Sequence, residues 1–382
     1  MYIQIDNAGF INKGAELMLL SIINRLKKEK KLNAIFVKGL NCLGNQEQIM
    51  HAGLFQIINL QRLKIKWHNL FDEYRLSQYG LLKKKSVDVI LDAGGFQFGD
   101  QWAESYSSRK NKELAEYYNS YKLNGAKIIF LPQALGPFKH PLSINRMEIV
   151  FKFANMIYAR EETSFIILEK LFGKDQKIKL APDFTSLFTP EISLKLYENV
   201  NNKIIIIPNS KMLHKTSNEI SEKYPEFLLS IAEFVIRSGE KLILLNHEGK
   251  DDLKLIESIY ERIKNKDKVE VLDKLNACEV KAVIGHCKLV ISSRFHGVIS
   301  GLNQRVPTLC TSWSHKYEEV LKDFNLSNNQ LDPANIESSI QKIQSVLKNP
   351  EPYTPTGQIV EKNKELSENM WTEIIEYMNF ED

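Results

Sequence analysis

The sequence predicts an α/β protein built from two Rossmann-like domains. Three observations carry that reading. Short apolar runs alternate with helical patterns along most of the chain, the mark of mostly parallel sheets covered by helices. At 382 residues the chain exceeds what one hydrophobic core usually serves. A polar stretch over 190–202 breaks the series in two, and the wholly apolar run Ile204-Ile205-Ile206-Ile207 opens the second half.

Taken in order, the first half carries expected strands at 2–6, 34–38, 87–91, 127–131, 156–159 and 177–181, with helices over 15–28, 110–124, 142–154 and 163–171. In the first helix Leu17, Leu20, Ile23 and Leu26 recur at helical spacing. The second half carries expected strands at 203–208, 241–246, 268–272, 288–292 and 306–310, and helices over 225–237, 253–263, 277–287, 298–303 and 316–323. Residues 350–357, rich in proline, read as a linker, and a last helix over 359–378 is expected to cross back and brace the first domain. The expected domains are 1–190, 191–350 and a linker with terminal helix, 351–382. Two such domains facing a cleft would set the carboxyl-end loops of one across from those of the other.

Residues 57–85 interrupt the alternation. Leu60, Leu63, Ile65, Trp67, Leu70, Phe71, Tyr74, Leu76 and Tyr79 stand there among basic residues. Two readings remain open: an amphipathic helix pair packed on the domain, and a surface for an acceptor or for peripheral contact with a membrane. The clusters Lys27, Lys28, Lys30, Lys31 and Lys83, Lys84, Lys85 divide the same way, between a solvated helix end and attraction to an anionic surface.

Composition narrows the class. With 43% hydrophobic and 26% charged residues and a mean hydropathy of −0.28, the chain reads as a soluble globular protein. A net charge of +4 argues against a nucleic-acid specialist. No apolar run approaches the roughly 18 residues of a membrane span, and the start of the chain reads as a strand rather than a signal peptide. Cys42, Cys278, Cys287 and Cys310 lack metal-ligand spacing and are expected to be reduced thiols of a cytoplasmic protein. The oligomeric state is open, a homo-oligomer among the alternatives.

The most informative stretch is Ser292-Ser293-Arg294-Phe295-His296-Gly297, between an apolar strand and a helix. The carboxyl end of such a strand is where open α/β sheets hold ligands. Arg294 offers a permanent planar cation that matches phosphate and carboxylate. His296 exchanges a proton near neutrality, and the helix N-terminus beyond favours an anion. Further loops end other strands: Asn12-Lys13-Gly14, Asp92-Ala93-Gly94-Gly95, Gln133-Ala134-Leu135-Gly136, Arg160-Glu161 and Pro182-Asp183. The first has neither the glycine spacing of a dinucleotide site nor the ending of a P-loop. Arg160 is a ligand contact or a surface ion pair. Asp183 is a site carboxylate or a helix cap. Lys316 is an anion contact close in sequence to Arg294. His247-Glu248 with Asp251-Asp252 hints at a metal, but acids at a helix N-terminus explain it better.

Taken together, Asn12-Lys13-Gly14-Ala15-Glu16, Gly94-Gly95, Gln133-Ala134-Leu135-Gly136-Pro137, Ala159-Arg160-Glu161 with Ser164, Pro182-Asp183, Ser293-Arg294-Phe295-His296-Gly297 and Lys316 resemble the polysaccharide pyruvyl transferase family, in that family's order. The departures are Asp92-Ala93, where a further glycine is frequent, and Phe295, where leucine is usual. The resemblance implies a fold like that of two-domain (GT-B) glycosyltransferases. It implies transfer of pyruvyl from phosphoenolpyruvate to sugar hydroxyls, with no metal or organic cofactor. His296 and Asp183 would be catalytic. Arg160, Arg294, Lys316 and Gly297 would hold the donor, and Asn12, Lys13, Gly14, Gly94, Gly95, Gln133 and Gly136 would line acceptor or anion loops. The acceptor would be a sugar, free or lipid-diphosphate-linked, handled in the cytoplasm or at the inner face of the membrane. Two other readings stand: a glycosyltransferase using a nucleotide sugar on the same fold, and a non-catalytic component of envelope polysaccharide assembly.

Overall fold

Apolar runs without polar alternation belong in sheets covered on both faces, and this chain places them there. A computed structural model describes residues 1–58, 61–62, 65–66 and 72–380. The first half supplies β1 (Tyr2–Asp6), β2 (Ile35–Lys38), the two-residue strands β3 (Gln56–Ile57), β4 (Gln61–Arg62), β5 (Ile65–Lys66) and β6 (Leu81–Leu82), then β7 (Val89–Asp92), β8 (Lys127–Gln133), β9 (Met156–Ala159) and β10 (Ile178–Leu180). The second half supplies β11 (Ile204–Ile207), β12 (Leu242–Leu245), β13 (Val269–Leu272), β14 (Leu289–Ser292) and β15 (Thr308–Cys310). One parallel sheet has the order β10-β9-β8-β7-β1-β2, the other β13-β12-β11-β14-β15.

The chain divides into two units, one around each sheet. The first comprises Met1–Phe10, Met18–Phe184 and Leu366–Asp382, the second Ile11–Leu17 and Thr185–Glu365. Inside the second, Ile204, Ile206, Leu242 and Leu244 meet Tyr224, Phe227, Ile231 and Val235 of the helix Asn218–Arg237 on one face of the sheet. Ile205, Ile207, Ile243 and Val290 meet Val280, Val283 and Ile284 of the helix Ala277–Gly285 on the other. Residues alternate across the pleat, so a run of four isoleucines fills both faces. All four cysteines are free thiols.

Most expected elements lie where the sequence places them, with several differences. The helix read as starting at Pro225 begins at Asn218, capped by Ser217, whose side chain accepts from the Ile220 amide, and Pro225 sits inside it. A helix spans Leu194–Val200, in the stretch read as a break. Another spans Ile336–Lys348, its Ile336, Ile340, Ile343 and Leu347 packed on the core. Of residues 57–85, those described form short paired strands, the α-helix Glu73–Gln78 and the start of a 3₁₀ turn at Lys84, so no amphipathic helix pair forms among the described residues. Tyr74 and Tyr79 there are exposed and Leu76 is buried. Leu60, Leu63, Trp67, Leu70 and Phe71 lie outside the described residues. Among the described residues no helix is long and apolar enough to cross a membrane.

The last helix, Gly357–Asn379, belongs to the first unit from Leu366 onward, as its expected return requires. Trp371 is fully buried, edge-on to Phe184 at 5.7 Å. The Tyr158 hydroxyl donates to Glu373 at 2.7 Å, Lys179 pairs with the same carboxylate, and Asn155 Nδ2 donates to the Tyr377 hydroxyl at 2.7 Å. Replacing Trp371 by alanine is expected to cost about 3–5 kcal/mol. Urea unfolding reads this directly, and a loss below about 1 kcal/mol would mean the helix does not hold the first unit together.

Candidate active site

In the second sheet the chain enters at β11, runs to β12 and β13 on one side, then returns to β14 and β15 on the other. The loops leaving β11 and β14 therefore lie at the switch point of this sheet, at the carboxyl edge where open α/β sheets hold ligands. Those loops carry Asn209–Lys211 and Ser293–His296, and they are locked together. Asn209 Nδ2 donates to the Ser293 carbonyl at 2.8 Å, and so does the Tyr317 hydroxyl at 2.8 Å. Ser293 Oγ lies 2.6 Å from both the Tyr224 hydroxyl and Thr311 Oγ1. Ser292 Oγ accepts from the Arg294 amide at 3.0 Å and donates to its carbonyl at 2.9 Å, which sets the turn into the helix Phe295–Asn303. A Cβ on Gly297 would stand 2.4 Å from Ser292 Oγ, so only glycine lets this helix start so close to its strand.

Arg294 is 6% exposed. Its Nε and Nη2 donate to the two oxygens of Asp252 at 2.7 and 2.6 Å, and Nη1 meets the Glu248 carboxylate. Burial pulls the guanidinium down to about 10. Burial likewise pushes the Asp252 carboxyl up to about 6, against hydrogen bonds from Ser210. Asp252 does lie in the first turn of its helix, Gly249–Arg262, as the sequence reading of an N-terminal acid expects. Its main partner, however, is Arg294, a residue that spacing alone does not reveal. Lys316 opens its own helix, and its Nζ stands 4.7 Å from the Trp313 ring centre and 5.3 Å from that of Phe295. Lys211, unremarked in the sequence, places Nζ 5.3 Å from the same indole. Burial, then the charge of Arg294, pulls it down to about 8.

The segment Ile11–Leu17 completes this group within the second unit. Asn12 pairs antiparallel with Glu248, and its Oδ1 accepts from the Gly14 amide at 2.8 Å at the head of the helix Lys13–Lys27. Lys13 pairs with Glu16 at 2.8 Å. Gly14 lies directly under the His296 ring, because a Cβ there would stand 2.2 Å from Nδ1. His247 is 4% exposed. Burial, then the charges of Arg294, His296 and Lys13, hold its imidazole well below the usual range and therefore neutral. Among the described residues no cluster of three His, Cys, Asp or Glu is placed to hold a metal ion.

The remaining expected residues lie in the first unit. Arg160 and Asp183 are both buried, Nη1 3.7 Å from the Asp183 carboxylate, and Arg160 Nε stands 3.7 Å from Glu161. The Arg160 amide donates to the Gln133 carbonyl at 3.0 Å. Asp183 is thus grouped with Arg160. Gln133 Nε2 donates to Asp92 Oδ1 at 2.8 Å, and Asn7 Nδ2 to Oδ2 at 2.8 Å. The Gly94 amide also donates to Asp92, at 3.1 Å, so this aspartate braces the loop of Gly94 and Gly95. Gly136 follows in the next loop. Asp6, at the end of the neighbouring strand, accepts from Gln4, Tyr117 and the Leu40 amide.

Comparison with known proteins shows the family and the fold of the chain. A family model described as polysaccharide pyruvyl transferase matches residues 12–315. The amylovoran biosynthesis protein AmsJ of Erwinia amylovora is 24% identical over 289 residues, 70% of this chain and 67% of that one. Solved structures share the fold. UDP-GlcNAc 2-epimerase of Methanocaldococcus jannaschii, in complex with UDP-GlcNAc and UDP, has a TM-score of 0.60 at 13% identity, covering 99% of this chain and 100% of that. Anabaena HepE, in complex with UDP and glucose, has a TM-score of 0.55 at 13% identity, covering 96% and 94%. The architecture is that of two-domain, GT-B-like proteins.

Two predictions follow from the geometry. Gly14→Ala is expected to displace the His296 ring while leaving thermal unfolding within a few degrees, since alanine favours a helix by about 1 kcal/mol over glycine. Histidine ring resonances read the displacement, and an unmoved His296 would mean the glycine is not required there. The second concerns Asp6, pushed up to about 7 by burial and then by the charge of Asp92, itself raised to about 6 by burial. Both carboxyls keep protons in the folded protein at a pH where the unfolded chain has lost them. Their contribution is therefore most favourable at or below about pH 4 and declines as pH rises toward 7. In Asp6→Asn, unfolding free energy from urea melts between pH 5 and 8 is expected to decline less steeply than in the wild type, by up to about 1.4 kcal/mol per pH unit. Equal slopes would rule out a raised Asp6.

Proposed function

The chain belongs to the polysaccharide pyruvyl transferase family, and on that premise we propose that it moves a pyruvyl group from phosphoenolpyruvate to two hydroxyls of a sugar, forming a cyclic ketal and releasing phosphate. Family membership makes the chain a transferase. The family's description and the relative's part in amylovoran biosynthesis support an acceptor in polysaccharide assembly, as finished polymer or lipid-linked precursor.

One observation carries the donor: a proton-exchanging imidazole seated on Gly14 beside a buried guanidinium and two lysines at the switch point of the second sheet. Phosphoenolpyruvate brings a carboxylate, a phosphate and a nucleophilic methylene carbon. Lys211 and Lys316, with the two Arg294 N–H groups not directed at Asp252 or Glu248, supply charge for the two anionic ends. His296 delivers a proton to the methylene carbon, which leaves an oxocarbenium-like centre at C2. The fixed anions Asp252 and Glu248 hold Arg294 still, so the cationic field needs no rearrangement during the reaction. A sugar hydroxyl adds at C2, phosphate departs, and a neighbouring hydroxyl closes the ring.

The structural neighbours that bind UDP favour one rival, a glycosyltransferase using a nucleotide sugar. Incubation of the protein with phosphoenolpyruvate or UDP-sugars and a panel of free and lipid-linked glycans separates the two. Phosphate release with a pyruvyl mass increment on the glycan supports the proposal, and UDP release with a sugar increment overturns it. In the productive reaction His296→Ala is expected to lower turnover by about 10²–10⁴, with the calorimetric affinity for phosphoenolpyruvate changed by only a few-fold. Turnover near that of the wild type would remove His296 from the chemistry.

A further inference from the structure

We propose that His247 is a second catalytic imidazole of this site, taking the proton of the attacking sugar hydroxyl while His296 serves the donor carbon. The inference rests on the pyruvyl-transfer reading and names a group that the reading leaves without a role.

The placement comes first. His247 follows β12, the neighbour of β11, at the same carboxyl edge that bears the Arg294 loop. The next residue, Glu248, pairs antiparallel with Asn12 and meets Arg294 Nη1. Two residues beyond Asn12, Gly14 carries the His296 ring. His247 is therefore tied on one side to the guanidinium and on the other to the segment beneath His296.

The second observation is independent of the first. His247 is 4% exposed, and its Nδ1 is buried with no hydrogen-bond partner among the described residues. Buried polar atoms in folded proteins are nearly always bonded, so this nitrogen calls for a partner that arrives with substrate. The charged and titratable groups that act on it most are Arg294, His296 and Lys13, with Glu248 next to it in the chain. Burial first, and then these charges, keep it neutral, which is the form a base requires. An arriving phosphate and carboxylate would offset those charges and let it accept a proton.

The proton balance closes with two imidazoles and nothing else. Protonated His296 gives its proton to C3 of the donor, and the methylene becomes a methyl. The first hydroxyl oxygen bonds to C2, and its proton passes to neutral His247. The C2–O bond to phosphate then breaks, phosphate leaving with the electron pair and the proton from His247. The second hydroxyl oxygen bonds to C2, and its proton returns to His296. Each imidazole ends as it began, one acting as acid then base and the other as base then acid.

The test uses the full chain as wild type, His247→Gln and His247→Asn, with phosphoenolpyruvate and the glycan that supports phosphate release. Expected in both variants are donor affinity within about threefold of wild type, phosphate release lower by about 10²–10³, and a thermal midpoint not lowered. The acidic limb of the kcat/KM–pH profile, which reports the base, is expected to disappear. In ¹⁵N-histidine spectra of the wild type, phosphoenolpyruvate should raise the protonation of His247 even with no acceptor present. Turnover within about threefold, donor affinity falling as far as turnover, or a His247 signal indifferent to donor would each overturn the relay and leave the pyruvyl-transfer reading standing. A wild type that neither binds phosphoenolpyruvate nor releases phosphate from it would overturn both.

Discussion

A guanidinium withdrawn from water must be neutralised where it lies, and the second unit is organised around that requirement. Leaving Arg294 buried without a partner would cost several kcal/mol, so two carboxylates from the β12 loop and the helix after it, Glu248 and Asp252, close on it. That closure has consequences in three directions. Asp252 also accepts from the Ser210 amide, which fixes the β11 loop and with it Lys211. Glu248 pairs with Asn12, which fixes the head of the first helix and Gly14. The Arg294 backbone, held by Ser292, starts the helix that carries His296. One ion cluster thereby positions groups from four separate stretches of chain.

What the residues reveal in advance divides along the same line. Local features were legible. Ile204–Ile207 announces a strand covered on both faces, and the Arg-x-His-Gly turn announces a strand end feeding a helix, because period and turn chemistry are properties of neighbouring residues. The helix Ile336–Lys348 went unread although the spacing of Ile336, Ile340 and Ile343 is helical, and Pro225 misled because proline is so common at a helix start. The pairing of Arg294 with Asp252 was not legible. Those residues lie 42 positions apart, and an acid in a first helical turn has a sufficient local explanation. The seat of His296 on Gly14 spans a still longer separation, and nothing in a glycine says which side chain needs its missing Cβ. His247 was dismissed as half of a metal motif when its information lay in burial, which the sequence does not print.

The first unit repeats the logic with other groups. Arg160 is buried beside Glu161 and Asp183, and the buried carboxyls of Asp6 and Asp92 end adjacent strands. Asp92 is the hub of its loop: Asn7, the Gly94 amide, Gln97 and Gln133 all donate to it. A carboxylate that gathers several donors stiffens the loop that carries Gly94 and Gly95.

Shared architecture with proteins that bind UDP leaves the chemistry to be decided by side chains, and here the deciding quantity is local charge. Lys211 is drawn down to about 8 and Arg294 to about 10, each chiefly by burial. For Lys211 the nearby Arg294 adds to the effect, so its charged form is held against resistance that an anion would relieve. His247, kept neutral by burial and then by the charges of Arg294, His296 and Lys13, is held in its uncharged form. A ligand bearing phosphate and carboxylate would move both kinds of group in one direction: the lysine becomes more firmly charged and the imidazole more basic. Under the proposed reading, the donor's own charge would relieve the cationic part of that field, while burial continues to hold the imidazole neutral until then.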